Sequence, residues 1–465
     1  MNSRGASKNA RTSRKARCWK ASSRPGAWVK IMKPHSARAK RRSAKNFGRS
    51  RSPSRQSTVG IALSRATPPS IAHAPRRLSG LLSFPGTLRH SPKAVKKPRQ
   101  KAPPMHAALA ALGLRYPIFQ APMAGVSTPA LAAAVCRAGA LGALGLGAST
   151  AEGARRQLSE ARSLEARVLH ANGFCHPSPA RDAGQEQAWI QHFESAFRAY
   201  GGLPPEALAP PYVPFQEDDA LLAVVLEAKP EVVSFHFGLP REDQLAALKK
   251  AGILTLASVT CAEDAKAALD AGIGGLIAQG LEAGGHRSTF DREVDEGLCT
   301  AALLAQLRPL TERPLIAAGG VMRGQDLRSL LKGGADAVQL GTAFLLCPEA
   351  GTAPAYRARL SAHLAALQTG AIPADLEAGT VLTAALSGRP ARGLQNEITA
   401  RAGLLAAPPQ PPYPIAYDLT KRLAALPAPD AAEAFGACWA GTGVGQLRAL
   451  PATELVETLA REAGL

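Results

Sequence analysis

The sequence predicts an α/β protein built on a TIM (β/α)8 barrel, with a small, mostly helical domain capping the mouth of the barrel. Three observations carry that prediction. From Met105 to about Glu349 the chain alternates short, uninterrupted apolar runs with helical stretches, the pattern of a parallel sheet covered by helices. There are eight such runs, the number that closes a barrel. The unusual residues follow the ends of those runs, and a barrel carries its chemistry on the loops leaving the C-terminal ends of its strands.

Taken in order, the strands are Pro117–Ala121, Leu141–Leu144, Val168–Asn172, Glu231–Phe235, Ile253–Ala257, Leu276–Ala278, Leu315–Ala318 and Ala337–Leu340. Between them, Thr128–Ala138 reads as an Ala-rich helix, capped by Ser127 or Thr128 with Pro129 in its first turn. Arg241–Ala251, Ala262–Ala271 and Gly324–Lys332 read as further helices. Residues 177–214 are long for a strand–helix connection and contain a helix of their own, about Gln185–Tyr200. The division expected is a basic extension over 1–104, a barrel over 105–350 with the insertion 177–214, and a C-terminal helical capping region over 351–465. The cap screens the site from water.

The charge is divided unevenly. Of 56 Lys and Arg, 27 fall in residues 1–104, which hold no Asp or Glu, leaving 29 basic against 35 acidic residues in the remainder. The net +21 therefore belongs to the extension, and the patterned region is mildly acidic. The extension lacks apolar periodicity and reads as disordered. An organelle-targeting peptide, a basic arm on nucleic acid and translated sequence upstream of the true start at Met105 all account for it. The last fits best, because the pattern starts directly after Met105 and acids are wholly missing before it. No nucleic acid is expected for the folded part. Seven scattered cysteines without a C-x-x-C pair point to reduced thiols, a cytoplasmic setting and no metal site. No uncharged apolar run is long enough to span a bilayer.

The centre of the sequence is Gln279-Gly280-Leu281-Glu282-Ala283-Gly284-Gly285-His286. Adjacent glycines let a flat ligand lie against the main chain, and the next side chain is an imidazole able to exchange protons near neutral pH. Gly319-Gly320 and Gly341-Thr342 follow the seventh and eighth strands, where such barrels hold a phosphate with backbone N–H groups. A phosphorylated flavin suits both features. Gly142–Gly147 is rich in glycine but runs in the reverse spacing of a dinucleotide fingerprint, with no acidic residue at the expected distance.

Five motifs then occur in order: Gln120-Ala121-Pro122-Met123-Ala124-Gly125, Asn172-Gly173-Phe174-Cys175-His176, Gln279 through Arg287, Ala318-Gly319-Gly320-Val321, and Gln339-Leu340-Gly341-Thr342-Ala343-Phe344. In these the chain resembles the nitronate monooxygenases, from Met105 to the C-terminus, and the Phe-Cys-His variant is similar to the subgroup acting on propionate 3-nitronate. The resemblance implies non-covalent FMN in a TIM barrel, oxidising a nitronate with O2 to a carbonyl compound and nitrite. It implies Pro122 and Met123 beside the isoalloxazine. Asn172, Gln279, Gly284 and Gly285 would bond to or pack on the flavin, and Gly319, Gly320, Gln339, Leu340, Gly341 and Thr342 would lie at the phosphate end. His286 would be the catalytic group facing the substrate. Two positions depart from the family pattern: Ser288 replaces a glycine after His286-Arg287, narrowing that loop, and Thr442 stands where relatives often carry glutamine.

Other readings use the same residues. An FMN-dependent enoyl reductase or an NAD(P)H:quinone reductase reuses the barrel and the Gly-Gly-His loop. An inosinate dehydrogenase relative needs a catalytic cysteine in a strand-end loop, and no cysteine is suitably placed. A basic-tailed binding protein is the non-enzyme reading. His236 either lines the pocket or packs between aromatics. Arg287, Arg389 and Arg392 either draw an anion inward or lie on solvated loops.

Overall fold

The structure, a computed structural model, describes residues 105–290, 295–371 and 379–465. The basic segment 1–104, and every expectation attached to it, lies outside the described residues. The eight barrel strands are β1 (Ile118–Gln120), β2 (Gly142–Gly145), β3 (Leu169–Phe174), β4 (Val232–His236), β5 (Leu254–Val259), β6 (Gly275–Gln279), β8 (Leu315–Ala318) and β9 (Ala337–Leu340). A two-residue strand, β7 (Gly285–His286), falls between the sixth and seventh of them, and β10 (Thr380–Thr383) and β11 (Ala391–Leu394) follow.

The barrel strands pair in parallel in the order β1-β9-β8-β6-β5-β4-β3-β2. Ring closure falls between β1 and β2, where Phe119 bridges Leu141. Gln120 N–H donates to Leu141 O at 2.9 Å and Leu141 N–H to Ile118 O at 2.9 Å. Beyond this point the buried Gln120 side chain takes over the ladder. Its Nε2 donates to Ala143 O at 3.0 Å and its Oε1 accepts from Ala143 N–H at 3.1 Å. A side-chain amide thus substitutes for a backbone pair at the seam, leaving no buried amide unsatisfied there.

Apolar side chains fill both layers. Phe119, Val232, Leu256, Ile277 and Ile316 meet inside the barrel, with Leu109 from the entry helix. Outside, the strands pack on a ring of helices. Helix Pro129–Arg137 is capped by Thr128, whose hydroxyl accepts from Leu131 N–H at 3.0 Å and donates to Glu349 O at 2.6 Å. Gly324–Lys332 forms with the bounds predicted. The eighth helix comes from far downstream. Ala452–Ala463 lays Leu455, Val456 and Leu459 against Leu131, Val135, Leu327 and Leu331, so the C-terminal region divides between cap and barrel.

The insertion and part of the tail share a separate core. Trp189, Phe193 and Phe197 pack with Leu386, Ile398, Ile415, Leu419 and Phe435. The insertion's helix is two, Ala183–His192 and Glu194–Ala199, bent at the fully buried Phe193. The tail, for which the sequence predicts helix, also contains strands. β10 pairs with β11, and β11 pairs antiparallel with β7.

Candidate active site

One cavity of about 720 Å³ opens at the C-terminal ends of the barrel strands. All thirteen site residues expected from the sequence line it: Pro122, Met123, Asn172, Gln279, Gly284, Gly285, His286, Gly319, Gly320, Gln339, Leu340, Gly341 and Thr342. The cap side adds Tyr212, Tyr413, Tyr417, Lys421 and Trp439.

At one end the walls are main chain. Gly319 and Gly320 take φ of 121° and 72°, angles that side chains other than glycine's rarely adopt. A Cβ on Gly319 would also stand 2.8 Å from Thr300 Oγ1. At the neighbouring loop, Thr342 Oγ1 accepts from Gly441 N–H at 3.0 Å, so its own proton remains to donate. Gln339 Oε1 is buried at this end without a partner among the described residues.

At the other end the walls are side chains. Gln279 Nε2 donates to His286 O at 2.9 Å, and its Oε1 accepts from Ser288 N–H at 2.9 Å. The β6 side chain thereby holds the loop that presents His286. His286 itself is walled by the rings of Phe237, Tyr413, Tyr417 and Trp439 at centroid distances of 5.6, 5.3, 6.1 and 5.1 Å. Its Nε2 lies 2.9 Å from Ser387 Oγ. The Ser387 hydroxyl donates to Arg389 O at 3.1 Å, so toward the imidazole it acts as acceptor. That arrangement puts the proton on Nε2 and leaves the lone pair on Nδ1. Burial, then the charges of His236, Arg389 and His176, push the His286 pKa down to about 3. The imidazole is neutral at neutral pH and keeps an unprotonated ring nitrogen.

The residues left open by the sequence fall as follows. His236 does both things proposed for it: it lines the cavity, packs 4.5 Å from the Phe237 ring, and approaches His286 O at 3.2 Å through Nε2. Arg287 draws no anion from the cavity and is not solvated. It is fully buried, with Nε 2.7 Å from Asp295 and Nη1 donating to Gln279 O and Gly280 O at 3.0 and 2.7 Å. Arg389 and Arg392 are buried as well. Arg389 donates to Thr289 O and lies 4.5 Å over the Phe237 ring, and Arg392 Nε donates to Leu281 O at 3.0 Å. Thr442 holds the loops together through its N–H, which donates to Glu282 O at 3.0 Å. Gly284 is required at that contact, since a Cβ there would lie 2.5 Å from Gly441 N. The sequence reading missed Ser387, Tyr417 and Lys421. Only the four-residue spacing of the last two, which stacks them on one helix face, could have drawn attention to them.

A family model described as nitronate monooxygenase matches residues 106–462. The chain belongs to the nitronate monooxygenase family. It is 46% identical over 357 residues to a nitronate monooxygenase of Paraburkholderia phytofirmans, covering 77% of this chain and 94% of that one. It is 43% identical over 352 residues to a nitronate monooxygenase of Pseudomonas aeruginosa, covering 76% and 97%. Among solved structures, a nitroalkane oxidase from Streptomyces ansochromogenes superposes with a TM-score of 0.66 at 40% identity, over 77% of this chain and 98% of that one. FabK from Thermotoga maritima, at 24% identity and a TM-score of 0.56 over 77% and 95%, shares the fold. As a member of the nitronate monooxygenase family the chain is an oxidoreductase, a monooxygenase acting on a small molecule. Among the described residues no helix is long and apolar enough to cross a membrane.

Proposed function

We propose that the chain is an FMN-dependent nitronate monooxygenase that oxidises small nitronates, propionate 3-nitronate among them, with O2 to a carbonyl compound and nitrite. The observation that carries this reading is the shape of one cavity: glycine main chain at one end, a neutral imidazole at the other. The fit to a phosphorylated flavin rests on that end. Gly319-Gly320 and Gly341-Thr342 meet there, and Thr342 keeps a hydroxyl proton to give. Bound FMN would supply the oxidant for the carbon next to nitrogen.

The protein's own groups do the rest. Gly319, Gly320, Gly341 and Thr342 would hold the phosphate. Asn172 Nδ2 donates to Ser234 O at 3.1 Å and to Ser234 Oγ at 2.9 Å, so its Oδ1 is left to accept from the ring system. Ser127 Oγ accepts from Met123 N–H at 2.8 Å and fixes Pro122-Met123, which would lie beside the ring. Gln279, Gly284 and Gly285 would form the surface under the ring. His286 Nδ1 takes a proton from a neutral nitroalkane or faces the anionic nitronate directly. The cap built from residues 177–214 and part of the tail after 350 would keep water out. The six described cysteines are free thiols, which supports a reducing, cytoplasmic setting.

The test is anaerobic mixing of the purified, flavin-loaded protein with one reductant at a time. Bleaching of the flavin absorbance by propionate 3-nitronate but not by NADH is the expected result. Rapid bleaching by NADH alone would move the assignment to an enoyl or quinone reductase, and a colourless protein that takes up no FMN would end the flavin reading.

A further inference from the structure

Three polar side chains are linked inside the barrel. His170 and Asn172 lie two apart on β3 and so share one face, and Ser234 on β4 stands opposite Asn172 in the parallel register. Asn172 lines the cavity, while His170 and Ser234 are fully buried and do not. Asn172 Nδ2 donates to Ser234 O at 3.1 Å and to Ser234 Oγ at 2.9 Å. Ser234 Oγ in turn lies 2.6 Å from His170 Nε2. The sense of each bond follows from its protons. An amide nitrogen only donates, so Ser234 Oγ accepts from Asn172. The hydroxyl proton then goes to His170 Nε2, the other neighbour. Burial holds this imidazole neutral, with its pKa down at about 3, so its proton is on Nδ1. The reverse sense, with Nε2 donating, would leave the hydroxyl proton and the Nδ1 lone pair both buried with no partner among the described residues.

Nδ1 is buried without a hydrogen bond among the described residues. A leucine at this position would spare the interior that unmet group, so the reason for an imidazole lies on its Ser234 side. With an acceptor at Nε2, the hydroxyl and the carbonyl of Ser234 both call for Asn172 Nδ2, and Oδ1 is left for the cavity. Without that acceptor the hydroxyl proton has only the Asn172 amide to turn to. The hydroxyl would then call for Oδ1 while the carbonyl still called for Nδ2, and the amide would have two competing orientations. The structure assigns His170 as a positioning residue that, through the Ser234 hydroxyl, fixes which end of the Asn172 amide a flavin ring would meet. This rests on the flavin reading above and adds the sense of the contact: Asn172 presents an acceptor, suited to the one N–H of an oxidised isoalloxazine.

The test reads the bound flavin rather than turnover. Dilution of the flavin-loaded protein, followed by flavin fluorescence, gives the Kd for FMN, and an alkaline absorbance titration gives the pH at which the ring N–H ionises. An acceptor facing that N–H stabilises its protonated form, so losing the acceptor lowers the ionisation pH. A hydrogen bond of this kind is worth about tenfold. His170→Phe should raise the Kd by about that factor and lower the ionisation pH, and Asn172→Ala should do the same. His170→Gln, whose amide oxygen can take the Ser234 proton, should recover most of both. In Asn172→Ala/His170→Phe the two losses should not add, because the second change acts only through the first. Unchanged FMN binding and ionisation in His170→Phe would overturn the assignment, as would losses that add in the double variant. A His170→Gln variant as impaired as His170→Phe would reduce His170 to packing and overturn it too. If the wild type takes up no FMN, the failure is of the flavin reading, and this assignment falls with it.

Discussion

The two ends of the cavity are built from different materials. The β8–β9 end is main chain, shaped by glycines that directly follow barrel strands. The His286 end is side chain, and its parts come from segments far apart: Ser387 reaches Nε2 from 101 residues downstream. Backbone walls are set once the barrel closes, and few substitutions can alter them without breaking it. Side-chain walls on a separate cap can change while the barrel stays as it is. One fold can thus keep a cofactor end constant and vary the substrate end.

That contrast can be broken most sharply at His286. His286→Asn should lower turnover about a hundredfold or more while flavin content stays near stoichiometric, as read by steady-state rates beside the absorbance spectrum. Loss of flavin together with activity would show that the two ends are not separable. Gly319→Ala probes the opposite end. A residue forced to φ of 121° and against Thr300 costs about 1–3 kcal/mol, and the expected result is poor flavin retention on gel filtration and a lower melting temperature.

His170 lies in the barrel interior and belongs to neither end. It is fully buried, with Nε2 2.6 Å from Ser234 Oγ, and burial pushes its pKa down to about 3. In the unfolded chain the imidazole protonates below about pH 6.5. In the folded protein it stays neutral until about pH 3. Stability should therefore be flat with respect to this group above pH 6.5 and fall on acidification between those values, by up to about 1.4 kcal/mol per pH unit. Denaturant melts of wild type and His170→Phe across that window would check the slope, which should be shallower in the variant.

Ser387→Ala sharpens the comparison with a smaller effect. Without its acceptor at Nε2 the imidazole can place its proton on either nitrogen, and kcat should fall about tenfold with flavin content unaltered. A loss of activity that tracks a loss of melting temperature would reduce Ser387 to a structural role.

The barrel was legible because each strand is a local apolar run, and the strand-end loops with their glycines came with it. The cap's contribution was not. Ala391-Arg392-Gly393-Leu394 carries an arginine and a glycine and reads as a loop. It becomes a strand because Gly285–His286, a hundred residues earlier, offers it an edge. The arginines were misread for the same reason. Arg287 and Arg389 are buried by partners such as Asp295, Gln279 O and Thr289 O, and no spacing in the sequence announces those pairings. The Gln120 seam was hidden too, since nothing in a Gln-Ala-Pro motif says that its amide will continue a backbone ladder.

The helix Ala452–Ala463 completes the outer ring only after the whole cap has been made. On the ribosome, the oily strip formed by Leu131, Val135, Leu327 and Leu331 must wait uncovered while more than a hundred residues emerge. A nascent chain arrested within the cap would be a natural client for chaperones, and release of the final helix would be the event that frees it.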